Sequence, residues 1–330
     1  DQALNVVYPA DVSQDRPLDV FMAHMDVVFS DETELPLRVE DGRIYCPGVG
    51  DDTACLVCLL LAGKYIARHV DSPSWREIRG EDAPGLLLVC NAGEEGLGNL
   101  KGVRKICEDY GGRIKSFCTF DSSLSSIVDR AVGSKRFRVK VRTRGGHSYN
   151  DFGNDNAIAG LASLVGKLYK IQVPEGGKTT YNVGMISGGT SVNTIAQEAE
   201  MLYEFRSDKR ENLEYMERQF MEVLDRAKAE GMDVSFQVIG VRPCEGQVDP
   251  AQKQALTDWA HRVVEEMTGQ APKHHAGSTD CNIPLSLGIP SVCVGSFRGA
   301  GAHTREEYVE TDSLEEGYKV AFGMIFGRRD

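Results

Sequence analysis

Residues 18–26 read LDVFMAHMD, and the fold turns on them. Residues 18–23 form an apolar run of strand length that stops at His24, Met25 and Asp26. The plan repeats. GLLLVCNA (residues 85–92) is followed by Gly93-Glu94-Glu95, and SFCTF (116–120) by Asp121. A fourth run, residues 291–295, leads into a glycine-rich loop that carries His303. Helical stretches lie between these runs, over residues 52–69, 98–110, 251–268 and 313–326, with Asp51 near the first N-cap. Continuous apolar runs separated by helices specify an α/β fold with a mostly parallel sheet, flanked by helices on both faces.

The middle of the chain reads differently. Residues 135–144 (KRFRVKVRTR) alternate strictly, as a half-exposed strand does. A helix (156–171), two strands (180–186 and 198–206), a long charged helix (212–231) and a strand (233–241) follow. That order, β-α-β-β-α-β, is the ferredoxin-like α+β pattern, complete in itself. The expected plan is therefore a discontinuous α/β domain, residues 1–132 and 243–330, with residues 133–242 inserted as a second domain. In the long helix, Tyr215, Met216, Phe220 and Met221 are expected in the core.

Composition narrows the function classes. The 330 residues carry a formal charge of −12, so no net basic footprint is offered to a nucleic acid. Hydrophobic content of 41% is ample for a core. The longest apolar run, residues 54–62, is about half of the ~20 residues that a membrane span needs. No basic segment with an apolar core opens the chain as a secretory leader would. The nine cysteines lie mostly inside apolar stretches, and their odd number fits a reducing cytoplasm. Cys55 and Cys58 sit in an apolar helix with no second cysteine pair, so redox chemistry is not expected of them.

In open α/β sheets, ligands bind outside the carboxyl ends of the strands. The strand ends bring His24, the Glu94-Glu95 pair, Asp121 and His303 to one sheet edge, and Asp51 joins them from the glycine-rich PGVGDD loop. Each feature alone is ordinary: a histidine at a strand end, an acidic turn, an aspartate cap. Together, two histidines and three carboxylates form a nitrogen and oxygen donor set that suits zinc, manganese or cobalt. Five such ligands are too many for one catalytic metal with an open position. They fit two ions sharing one carboxylate. Asp26, two residues beyond His24 in extended chain, is expected to orient the imidazole. The chain has no HExxH, no GxSxG elbow, no phosphate-binding GxxxxGK[ST] and no strand-linked GxGxxG.

FMAHMDVV, PGVGDDTACL, NAGEEGLG, FDSS, RGGHS, SVNTIA, GSTDCNIP and AGAHT, in this order, resemble the M20 metallopeptidases, and most nearly the peptidase T-like aminopeptidases. The resemblance covers nearly the whole chain. It implies a dinuclear-zinc catalytic domain, with an inserted lid domain that forms a homodimer. Carried over by motif, it implies His24 and Asp121 at one zinc, Glu95 and His303 at the other, and Asp51 bridging both. Glu94 would be the general base, and Asp26 would hold His24. His147 would reach the partner subunit's site to stabilise the oxyanion. Asn193, Arg206, Ser278 and Thr279 would contact substrate, Arg206 at the substrate's carboxylate. An aspartate at position 121 tends in this family to mark aminopeptidases and dipeptidases, where a glutamate tends to mark carboxypeptidases and acylases. The expected function is an exopeptidase on small peptides; the alternatives are an N-acyl amino acid amidohydrolase and a non-catalytic metal-dependent binding protein. Family members usually carry a longer segment before the first strand than the 23 residues that precede His24 here, so a preceding piece is expected to be missing.

Overall fold

The computed structural model describes residues 1–13, 15–29 and 34–327. The last three residues of the 243–330 segment thus lie outside the described residues. The chain divides into two compact units, Asp1–Ala131 with Glu245–Asp330, and Val132–Cys244.

The first unit is built on a seven-stranded sheet. Its order is Val6–Ala10, Gly85–Asn91, Leu18–His24, Ile114–Phe120, Ser291–Val294, Ser126–Ala131 and Lys273–Gly277. Gly85–Asn91, Leu18–His24, Ile114–Phe120 and Ser291–Val294 run parallel side by side, and their carboxyl ends share one edge. Phe21, Ala23, Leu86, Leu88, Phe120 and Val294 pack with the helices Cys55–His69, Pro250–Thr268 and Ser313–Phe326. Val20, Met22, Leu87, Val89 and Phe117 pack in a separate cluster with Lys101–Tyr110. Both faces of these strands are dry, which is why they read as unbroken apolar runs. Each large side chain so buried contributes about 1.5–3 kcal/mol.

The outlying strands carry no such signal. Val6–Ala10 is mostly exposed and contains Pro9, and Lys273–Gly277 reads KHHAG. A second, small antiparallel sheet joins Gly299–Ala300, Tyr308–Glu310, Arg43–Tyr45 and Arg38–Glu40. It ties the chain after His303 to the chain before Asp51.

Among the boundaries that differ from expectation, one bears on the site. The helix begins at Cys55 rather than residue 52, and Asp51 is not its N-cap. Asp51 and Asp52, joined by a cis peptide bond, have non-helical backbone angles. Both carboxylates reach His24, Asp51 at the ring Nε2 and Asp52 at the backbone N–H.

The second unit is a four-stranded antiparallel sheet, ordered Thr179–Gly188, Glu198–Ser207, Gly133–Arg142 and Asp233–Arg242. With the helices Ala157–Leu168 and Arg210–Ala229 it has the ferredoxin-like connection order. Phe137, Val139, Met201, Tyr203 and Phe205 alternate inward against Leu161, Leu164, Met216 and Phe220. The residues between them form a charged ladder, with Arg136 paired to Glu204, Arg138 to Glu200 and Arg142 to Glu198. Tyr215 and Met221 also pack on the core, as expected. Among the described residues, no helix is long and apolar enough to cross a membrane.

Candidate metal centre

The strand Leu18–His24 ends with His24 almost fully buried. Its Nδ1 lies 2.8 Å from the carbonyl oxygen of Asp26, which can only accept. Nδ1 therefore carries a hydrogen, and in the neutral ring Nε2 is a lone pair. Yet Nε2 lies 3.0 Å from Asp51 Oδ1, another acceptor. Two acceptors meet at that distance only with a proton or a cation between them. On the other side of the same carboxylate, Asp51 Oδ2 lies 3.0 Å from His303 Nε2, and that nitrogen is also 3.1 Å from Glu95 Oε1. One ring nitrogen cannot serve two carboxylates with one hydrogen.

Ligand atoms of His24, Asp51 and Asp121 all lie within 4.8 Å of one another, and so do those of Asp51, Glu95 and His303. The two groups share Asp51. A third group joins His24 to Glu94 and Glu95.

The electrostatics have one sign. Burial pushes the Asp121 carboxyl up to about 7; Glu94, Asp51 and Glu95 add to this and His24 opposes it. Burial, with Asp51 and Glu94, likewise raises Glu95 to about 7. Burial would lower His24, but Asp52, Asp51, Asp121 and Glu94 outweigh it and hold the ring well above its usual range. Burial would raise Asp51, but the two histidines bring it below. Crowded carboxylates whose charge is this costly, facing two imidazole nitrogens, are the donor set of a divalent cation. The residues present fit such a group.

Asp26 lies beside His24, as expected, and meets it chiefly through its carbonyl. Its carboxylate is 3.9 Å from His24 Nδ1 and accepts instead from the backbone N–H groups of Gly93 (2.8 Å), Glu94 (3.2 Å) and Glu95 (2.9 Å). The carboxylate–histidine contact is long because the strand ends at His24, so the two-residue alternation does not reach Asp26. The histidine is oriented by the Asp26 carbonyl, and the carboxylate clamps the loop bearing Glu94 and Glu95.

Two buried carboxylates next to the site escape the sequence reading. Asp52 is buried and accepts from the His24 N–H at 2.9 Å, with its Oδ1 unpartnered. Glu307 is also buried and binds the loop that carries Asp51. Nothing in the spacing marks either one. A cavity of about 250 Å³ opens beside Asp51 and Asp121, lined also by Ser122, Ser123 and Phe297.

Ser278 is half-buried, and Thr279 is engaged in its own turn: its N–H donates to Asn282 Oδ1 and its hydroxyl accepts from the Cys281 N–H. The next residue, Asp280, accepts from Asn91 at 2.7 Å and ties this turn to the end of the Gly85–Asn91 strand. The Cys55 and Cys58 thiols are pushed up by burial, which makes them poor nucleophiles.

In the second unit, His147 and Asn193 lie close together. Thr194 pairs with His147, and the Ser148 N–H donates to the Asn193 carbonyl. His147 Nδ1 accepts from the N–H groups of Tyr149 and Asn150, so its hydrogen sits on Nε2. Arg206 holds both oxygens of Glu204, at 2.8 and 3.1 Å.

Comparison with known proteins agrees with this chemistry. Residues 20–326 match the profile of Peptidase family M20/M25/M40. A succinyl-diaminopimelate desuccinylase of Nitrosomonas eutropha is 24% identical over 323 residues, which is 91% of this chain and 80% of that protein. The aminopeptidase PepT of Bacillus cereus superposes with a TM-score of 0.69 at 22% identity, covering 98% of this chain and 83% of that one. An M20 family metallo-carboxypeptidase of Sulfolobus solfataricus superposes with a TM-score of 0.73 at 15% identity, covering 97% and 86%.

Proposed function

The chain belongs to peptidase family M20/M25/M40, and from that premise we propose that it is a dinuclear-zinc exopeptidase that hydrolyses the amide bonds of small peptides. The observation that carries the reading is Asp51, whose two oxygens face His24 Nε2 and His303 Nε2 separately. His24, Asp51 and Asp121 would hold one zinc, and Asp51, Glu95 and His303 the other; manganese or cobalt satisfies the same donors. When bound, such an ion pair polarises a carbonyl and makes water acidic near neutral pH.

The chain's own groups do the rest. Glu94, buried beside Glu95, takes the proton of the attacking water and returns it to the leaving amine. The Nε2–H of His147, supplied by a second copy, donates to the developing oxyanion. Arg206 exchanges Glu204 for the substrate carboxylate, and Asn193 contacts the substrate backbone. Ser278, at the turn tied to Asn91, lines the substrate path, while Thr279 shapes that turn. A homodimer through the inserted unit is supported by its exposed Tyr149, Phe152, Met185, Ile186 and Val192. A cytoplasmic location is supported by nine free cysteines, eight of them buried.

A second reading, an N-acyl amino acid amidohydrolase, is favoured by the deacylase names of the curated relatives. The aspartate at position 121 supports the peptide reading. A tripeptide, a dipeptide and an N-acetyl amino acid, assayed side by side on metal-loaded protein, separate the two. Peptide turnover well above N-acyl turnover is expected; the reverse order would establish the second reading.

A further inference from the structure

We infer that Glu307 is a positioning residue that clamps the Gly48–Asp51 loop and so sets how tightly the Asp51-centred site holds its metal. This rests on the metallopeptidase reading above. Glu307 is only 2% exposed, four residues beyond His303 in the chain. Its Oε2 accepts from the Gly48 N–H at 2.7 Å, and its Oε1 from the N–H groups of Gly50 at 2.9 Å and Asp51 at 2.8 Å. Its carbonyl accepts from the Cys46 N–H at 3.1 Å. Four contacts therefore bind one residue to six residues of loop that end at Asp51.

The loop is built for this approach. Gly48 has φ +78°, and a Cβ there would lie 2.3 Å from Val27. A Cβ on Gly50 would lie 2.7 Å from Phe297 and 3.1 Å from Glu307 Oε1. Three convergent N–H donors are matched by an ionised carboxylate and by no neutral side chain of this length. The pattern duplicates that of Asp26, which takes three N–H groups from the loop bearing Glu94 and Glu95. Two buried or half-buried carboxylates thus each fix one ligand loop from behind. Glu307 immediately precedes the strand Tyr308–Glu310, which pairs with Arg43–Tyr45, so it links the His303 side of the site to the Asp51 side.

Glu307→Gln keeps the size but turns an N–H₂ donor toward N–H donors. Glu307→Asp keeps the charge and is one methylene short. Cobalt(II) titration with elemental analysis reads metal affinity and stoichiometry; thermal unfolding in chelator reads the fold without metal. Expected are two ions per wild-type chain and, because Asp51 is shared, about 10–100-fold weaker binding at both sites in Glu307→Gln. Glu307→Asp should fall between, and metal-free unfolding should stay close to wild type. If Glu307→Gln does not fold, Glu307→Asp carries the test alone. Unchanged affinity in the folded variants overturns the inference while leaving the metallopeptidase reading intact. A loss of metal-free stability that accounts for the whole loss of metal also overturns it, leaving Glu307 a fold residue. A wild-type chain that binds no cobalt overturns both.

Discussion

At the scale of single residues, the site is a set of charges that are costly until a cation joins them. Glu95 and Asp121 are held at about 7, above the ordinary carboxylate range, by burial and by their acidic neighbours. A carboxyl raised in the folded state favours folding below its ordinary pKa near 4, and that contribution is lost as pH rises through 7. In chelator, the stability of Asp121→Asn relative to wild type should therefore grow as pH rises from about 4 to 7. A pH-independent difference in chemical denaturation would contradict the crowding. Because metal must displace these protons, metal affinity should fall below pH 7, and uptake should release protons measurable in weak buffer.

Glu94 belongs to the same scale. Glu94→Gln should retain both metals by elemental analysis while turnover drops about 10²–10⁴-fold. Normal turnover would remove Glu94 from its role as base. Asp26→Ala should act differently, since three N–H groups of the Glu94 loop lose their acceptor. Both metal affinity and turnover should fall, about 10–100-fold.

At the scale of elements, legibility followed burial. The four parallel strands were visible because both of their faces are dry, so hydrophobicity alone marks them. The strands Val6–Ala10 and Lys273–Gly277 were not, because their exposed positions leave no period to read. The alternating strands of the inserted unit were visible for the opposite reason: one face is apolar and the other a charge ladder. Its first helix starts at Ala157, and Asn156 accepts from the N–H groups of Ile158 and Ala159. Asn156→Ala should cost about 1 kcal/mol in urea denaturation. No change would mean that packing of Leu161 and Leu164 alone defines that start. The helix was read from residue 52 because propensity does not register the non-helical backbone at Asp51 and Asp52.

At the scale of the whole molecule, the acid excess has a local meaning. Asp51, Glu94, Glu95 and Asp121 sit among the 49 acidic residues, gathered at one sheet edge. Exhaustive chelation should abolish hydrolysis, and zinc, manganese or cobalt should restore it. Hydrolysis that survives complete metal removal would end the metallopeptidase reading. If two copies share a site, mixing His147→Ala with Glu94→Ala chains should recover part of the activity that each lacks. No recovery, with subunit exchange shown independently, would count against a shared site.

The sequence by itself determined the layered α/β architecture and the β-α-β-β-α-β order of the insertion, and it singled out His24, Asp51, Glu94, Glu95, Asp121 and His303 as candidates. Those follow from hydrophobic period and from what stands after each buried strand, both of which are local. Only the tertiary structure decided that the Asp26 carboxylate serves the Glu94 loop rather than His24, that Arg206 is held by Glu204, and that Glu307 grips the loop of Asp51 from more than 250 residues away. The Asp26 and Glu307 contacts are hydrogen bonds between side chains and distant backbone N–H groups, and the Arg206 contact is one of several pairings open to a strand cation. Backbone donors are the same at every residue, so no pattern of residue types announces which loop a carboxylate will hold.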